Sequence, residues 1–163
     1  MKKNFLFLSM LSIAAFSCKE DVEDPAYNFK EQNLTGKIDN TDWAYQTGYA
    51  SQDGSNSEGT IYVTLVQGHT GEGCSTWPEG DHVFFTLPNA TGLYKLKFDF
   101  NNWDAEDNQI VTLFDQESTT NNFATEGAVE ITEITSTQIS GRIDARSEDD
   151  TFVNGNFTVT ICN

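Results

Sequence analysis

Side-chain alternation of period two is the feature that most constrains what this chain can fold into. From residue 33 onward no stretch repeats apolar residues at helical spacing, while apolar and polar residues alternate over short runs separated by turn residues. Alternation places successive side chains on opposite faces of an extended strand. Leu34, Gly36 and Ile38 alternate with Thr35, Lys37 and Asp39, and a turn at Asn40-Thr41 leads to Trp43, Tyr45, Thr47 and Tyr49 on one face. Further runs carry Ile61, Val63 and Leu65, then Val83, Phe85 and Leu87, then Tyr94, Leu96, Phe98 and Phe100 opposite Lys95, Lys97 and Asp99. Residues 109–115 are apolar on both faces. The last three runs hold Val129 and Ile131, then Ile139, Gly141 and Ile143, then Phe157, Val159 and Ile161. About nine strands predict an all-β domain over residues 33–163, an antiparallel β-sandwich or a barrel-like sheet. The pattern by itself leaves these two open.

A recurrence within the strands favours strong curvature. Leu34-Thr35-Gly36-Lys37-Ile38-Asp39 is echoed by Ile139-Ser140-Gly141-Arg142-Ile143-Asp144, and Val153-Asn154-Gly155-Asn156-Phe157 repeats the apolar-x-Gly-x-apolar core. Each glycine falls on the inward face. Glycine weakens a strand unless the backbone bends, bulges or meets a close neighbour, so three of them predict a coiled sheet with aromatic rings over the gaps.

The N-terminus reads differently. Lys2 and Lys3 precede an apolar run from Phe5 to Phe16, and Ser17-Cys18-Lys19-Glu20-Asp21 follows. The run is shorter than the roughly 20 residues a membrane-spanning helix needs, and its basic start and small residue before the cut describe a secretory signal. Ala15-Phe16-Ser17-Cys18 resembles the lipobox of bacterial lipoproteins, with Ala15 where that family usually carries a branched aliphatic residue. The resemblance implies a signal peptide over 1–17 and Cys18 as the lipidated first residue. Lys19-Glu20-Asp21 resembles the export tag of surface lipoproteins in Bacteroidota, which implies a place on the outer membrane facing the cell exterior. Residues 18–32 are acidic and aperiodic and read as a tether, able to reach about 45 Å when fully extended.

Charge and cysteine usage narrow the partners. The chain carries 9 Lys and Arg against 25 Asp and Glu, a formal net charge of −16. Nucleic acid is therefore not an expected partner, because phosphate backbones are held by clustered Lys and Arg. Cys74 and Cys162 are the cysteines left once Cys18 is assigned. In an oxidising compartment such a pair predicts a disulfide.

The opening Gly36-to-Trp43 hairpin and the closing Val153-Asn154-Gly155-Asn156-Phe157 strand resemble those of small all-β Bacteroidota lipoproteins classed as domains of unknown function. The resemblance spans most of residues 33–162. It rests on turns and packing positions, and it supplies no catalytic residues.

Tests for chemistry return little. Nucleophilic hydrolysis needs a serine or cysteine beside an oriented base; no Gly-x-Ser-x-Gly occurs, and His69 and His82 are the two histidines. His69, Cys74 and His82 match no compact zinc spacing. The acidic stretch from Asp99 to Asp107 fits a calcium loop only at Asp99, Asn101 and Asp107; Trp103 stands at position 5, glycine is missing at position 6 and Ile110 stands at position 12. It reads by default as a solvated acidic turn, so neither a metal nor another cofactor is expected. Paired carboxylates arise by chance in a chain this acidic and carry no signal.

Two tryptophans stand apart from the alternating positions. Trp77 (Ser-Thr-Trp-Pro-Glu-Gly) and Trp103 (Asn-Asn-Trp-Asp) sit among turn residues. One reading is a lid folded over an end of the β-structure, and this is the favoured one. The other is a stacking surface for a sugar ring, with Asn101, Asn102, Asp104 or Glu79 bonding its hydroxyls. Trp43 is expected in the core. Together these features predict a non-enzymatic, lipid-anchored binding or interaction module. Its partner is expected to be a glycan or an envelope protein, the latter in the role of a structural subunit.

Overall fold

The computed structural model describes residues 27–51, 59–68, 74, 77–99, 101–102, 108–148 and 150–162. Cys18, Lys19, Glu20, Asp21, His69, Trp103, Asp104 and Asp107 lie outside the described residues.

Alternation becomes strand along nearly the whole described chain. Eleven strands form one sheet: β1 (Thr35–Ile38), β2 (Thr41–Ala44), β3 (Thr47–Ser51), β4 (Thr60–Val66), β5 (His82–Pro88), β6 (Gly92–Lys95), β7 (Val111–Asp115), β8 (Thr120–Ala124), β9 (Glu126–Ile134), β10 (Gln138–Glu148) and β11 (Thr151–Cys162). The order across the sheet is β6-β9-β10-β11-β3-β4-β5-β7-β8, with the β1–β2 hairpin attached to β11. This single sheet curls into a half-barrel, the barrel-like alternative of the two expected. It is mixed: β11 and β3 run parallel, whereas the other named pairs are antiparallel.

The inward face holds the core, with Leu34, Ile38, Trp43, Ile61, Val63, Leu65, Val83, Leu113, Ile131, Ile139 and Ile143 all at most 2 % exposed. Trp43 is core as expected, and its indole Nε1 donates to the Asp81 carbonyl at 3.0 Å. Glycines mark the closest approaches. A methyl group on Gly141 would lie 2.5 Å from the Glu130 carbonyl oxygen and 2.8 Å from the Phe157 ring, so Phe157 covers the gap that Gly141 leaves. At Gly155 (φ 141°) the Asn33–Leu34 backbone passes so near that a Cβ would sit 2.7 Å from it.

Several expectations change. Trp43, Tyr45, Thr47 and Tyr49 do not share one face of one strand. The chain pairs with β1 up to Ala44 and with β4 from Thr47, and the two residues at the switch reverse the phase. Ala50 is therefore buried while Tyr49 points outward. The run from Tyr94 stops as a strand at Lys95; past Leu96 only an isolated Lys97–Gln109 bridge continues it. β8, with its polar TNNFA sequence, gave no apolar alternation to read.

The end of the expected tether also docks. Asn154, 6 % exposed, accepts from the Lys30 backbone N–H and donates to the Asn28 carbonyl, each at 2.9 Å. Asp144 accepts from the Asn28 backbone N–H at 2.7 Å. Arg142 donates to Glu130 and, at 3.1 Å, to Glu31, with its guanidinium 4.6 Å from the Phe29 ring centroid. Residues 27–32 thus form a strap across the outer face of β10 and β11.

Candidate aromatic binding face

Register decides what the outer face of the other half of the sheet presents. Tyr49 pairs with Thr64, Thr64 with Phe84, Phe84 with Thr112 and Thr112 with Phe123. Directly opposed residues share a face with Cβ atoms about 5 Å apart. The row across β3, β4, β5, β7 and β8 therefore alternates ring, threonine, ring, threonine, ring. Each short threonine between tall rings leaves a hollow.

The first hollow measures ≈ 330 Å³ and is lined by Tyr49, Tyr62, Thr64, Trp77, Pro78, His82, Phe84, Phe114, Gln116 and Asn121. That lies at the small end of the range for ligand sites, about 300–1,000 Å³. No described residue lining it is charged, although the chain is strongly acidic. Thr64 forms its floor: it is 1 % exposed, and its hydroxyl has no hydrogen-bond partner of good geometry among the described residues. A buried hydroxyl left unpaired costs about 1–3 kcal/mol.

The walls are electrically neutral for physical reasons. Burial lowers the pKa of His82 below the usual imidazole value, only partly offset by its bond to Gly80 and by the Asp81 charge. Its Nδ1–H donates to the Gly80 carbonyl at 2.9 Å, because a carbonyl can only accept. Nε2 of the neutral ring is then an acceptor. The ring sits 4.8 Å from that of Phe114 and 5.7 Å from that of Phe84, centroid to centroid. Burial raises the Tyr62 phenol above its ordinary value, the neighbouring Thr64 hydroxyl lowers it in part, and Tyr49 adds to the rise. Tyr62 is thus a neutral donor at physiological pH.

Trp77 stands over this hollow from the loop between β4 and β5. Its side is held by two anchors. The Cys74–Cys162 disulfide, with Cα atoms 5.5 Å apart, ties the loop to the end of β11. On the other flank Asp81 accepts from Trp43 Nε1 through its carbonyl and from the Gln116 backbone N–H through Oδ1 at 2.9 Å. Trp77 is 91 % exposed. The favoured lid reading is therefore overturned for Trp77, since a lid would bury its indole and this one presents its faces to solvent.

A second hollow of ≈ 210 Å³ continues the face on the far side of Tyr62 and Phe84, and Asn108, Gln109, Ile110, Thr86 and Thr112 line it as well. Asn108 braces the adjoining loop: its Oδ1 accepts from the Asp99 backbone N–H and its Nδ2 donates to the Asn102 carbonyl, each at 2.9 Å. Trp77 lines the first hollow and Asn108 the second, while Trp103 lies outside the described residues.

The polar residues expected to serve Trp77 are not the ones beside it. Glu79, Asn101 and Asn102 are exposed and line neither hollow. Gln116 and Asn121, from β8 and the turn before it, take that place, and only the β7–β8 register reveals them. For calcium, Asp99 Oδ1 already accepts the Asn101 backbone N–H at 2.9 Å, closing an Asx turn. Among the described residues no group of three His, Cys, Asp or Glu is placed to hold a metal. A larger hollow, ≈ 490 Å³, lies by β1 and β2 where the strap enters; Lys37 there already bonds Asn40 and pairs with Asp42.

Fold and site together define an all-β half-barrel, clasped by one disulfide, with an uncharged aromatic face. Comparison with protein-family models, with curated proteins and with solved structures finds no match for the chain.

Proposed function

We propose that this chain is a non-enzymatic binding module, held in the outer membrane by a lipidated Cys18 and turned to the cell exterior by Lys19-Glu20-Asp21, that captures neutral glycans on its aromatic face. The proposal includes kinship with the surface lipoproteins of Bacteroidota that the N-terminal motifs and hairpins resemble. The observation that carries the ligand reading is the first hollow: an exposed Trp77 above a floor of uncharged rings, with a buried Thr64 hydroxyl that has no hydrogen-bond partner of good geometry at its base. Sugar rings offer C–H faces to aromatic surfaces and hydroxyls that both donate and accept, which matches Thr64, Tyr62, Gln116 and Asn121.

Two experiments test it. In cells, Cys18→Ser should release the protein from the membrane fraction, and external protease should digest the wild type on intact cells; retention of the variant or protection from protease would overturn the location. In solution, a panel of neutral polysaccharides should shift the tryptophan emission of the wild type and leave Trp77→Ala unresponsive. No response across the panel, with an envelope protein co-purifying with the wild type but not with Trp77→Ala, would replace glycan capture by a structural role in an envelope complex.

A further inference from the structure

The two hollows are repeats of one design. Each is floored by a threonine, Thr64 in the first and Thr112 in the second, and both are walled by Tyr62 and Phe84. Thr64 and Thr112 sit on either side of Phe84 in the same cross-strand row. Two strand spacings separate them, about 10 Å, a span that successive pyranose rings of one chain would cover. The described residues lining the second hollow are, like those of the first, all uncharged.

Resting on the glycan reading, we infer that the face is an extended site for the interior of a linear neutral glycan, which crosses the strands with one segment in each hollow and the Tyr62–Phe84 ridge between them. Three observations favour a chain over a single sugar. Both hollows share the Tyr62 and Phe84 side chains as their common boundary, over which a chain would pass from one to the other. Their threonine floors lie on one face of the sheet in one cross-strand row. The first hollow is too small for more than a short segment, and a second segment on the same chain binds at high effective concentration once the first is seated. An extended proline-rich peptide also seeks aromatic grooves; the Thr64 hydroxyl and the Gln116 and Asn121 carboxamides favour a ligand rich in hydroxyls.

The test uses cello-, xylo-, manno- and malto-oligosaccharides of one, two, four and six residues, titrated calorimetrically against the protein with its disulfide intact. At least one series should bind about tenfold more tightly at four residues than at one. Trp77→Ala should weaken every length. Thr86→Arg, an exposed position whose new side chain fills the second hollow, should weaken the four- and six-residue ligands only. Monosaccharides binding as tightly as tetramers, or Thr86→Arg weakening all lengths alike, would overturn the two-segment site and leave glycan capture standing. Failure of every series to bind, or binding of a proline-rich peptide alone, would overturn both.

Discussion

Thr64 is the residue whose chemistry is least explained by folding alone. Its outward position on β4 is legible once the strand is fixed, but threonine there gains nothing for stability, because its buried hydroxyl lacks a proper partner. Thr64→Val should therefore raise stability by about 1 kcal/mol in chemical denaturation while weakening glycan binding; a variant that is destabilised would show the hydroxyl to be paired. His82 makes a second prediction at this scale. Its pKa is lowered in the fold, so below the unfolded value near 6.5 the unfolded chain binds more protons than the native one. Stability tied to this ring is present above that pH and is lost as pH falls toward the lowered folded value. Thermal melts between pH 7 and 5 should show this loss, and His82→Phe should flatten the slope. Phe84 lies beside His82 as its second neighbour along β5, whereas the ring of Phe114 comes beside it only through pairing with β7.

Among the elements, β10 and β11 show how far local pattern reaches. The inward glycines, the curvature and the ring over the gap were legible, and Phe157 over Gly141 realises them. Gly141→Ala should cost about 1–3 kcal/mol, as for other overpacked sites, measured by urea denaturation with unchanged m; a neutral effect would mean that the ring can move aside. Other features were not legible because they depend on pairing partners. The phase reversal between β2 and β3 follows from a change of neighbour, which leaves no mark in the alternation. β8 is a strand because β7 offers it a ladder, despite its polar sequence. The strap at 27–32 reads as acidic linker, yet Asn154 and Asp144 satisfy its backbone as a neighbouring strand would.

For the molecule as a whole, the Cys74–Cys162 bridge matters twice. It closes a sequence separation of 88 residues, which in the chain-entropy model corresponds to about 4–5 kcal/mol, and it anchors the loop that carries Trp77. Reduction should lower the denaturation midpoint accordingly, and under conditions where the reduced protein is still folded it should weaken ligand binding at Trp77. Binding unchanged by reduction would mean that the Asp81 anchor alone positions the loop.

The sequence by itself determined the all-β class, the core side of most strands, the curvature and the pairing of the two cysteines. The first three follow from residue type and short-range periodicity, and the last from the two cysteines left once Cys18 is assigned. Only the tertiary structure decided that the sheet is mixed and curled into a half-barrel, that residues 27–32 strap it, and that rings and threonines alternate across five strands. That row joins residues from Tyr49 to Phe123, and its order exists only in the register of the ladders. Hydrogen bonding between distant strands sets that register, and alternation along one strand carries no information about which residue will stand beside it.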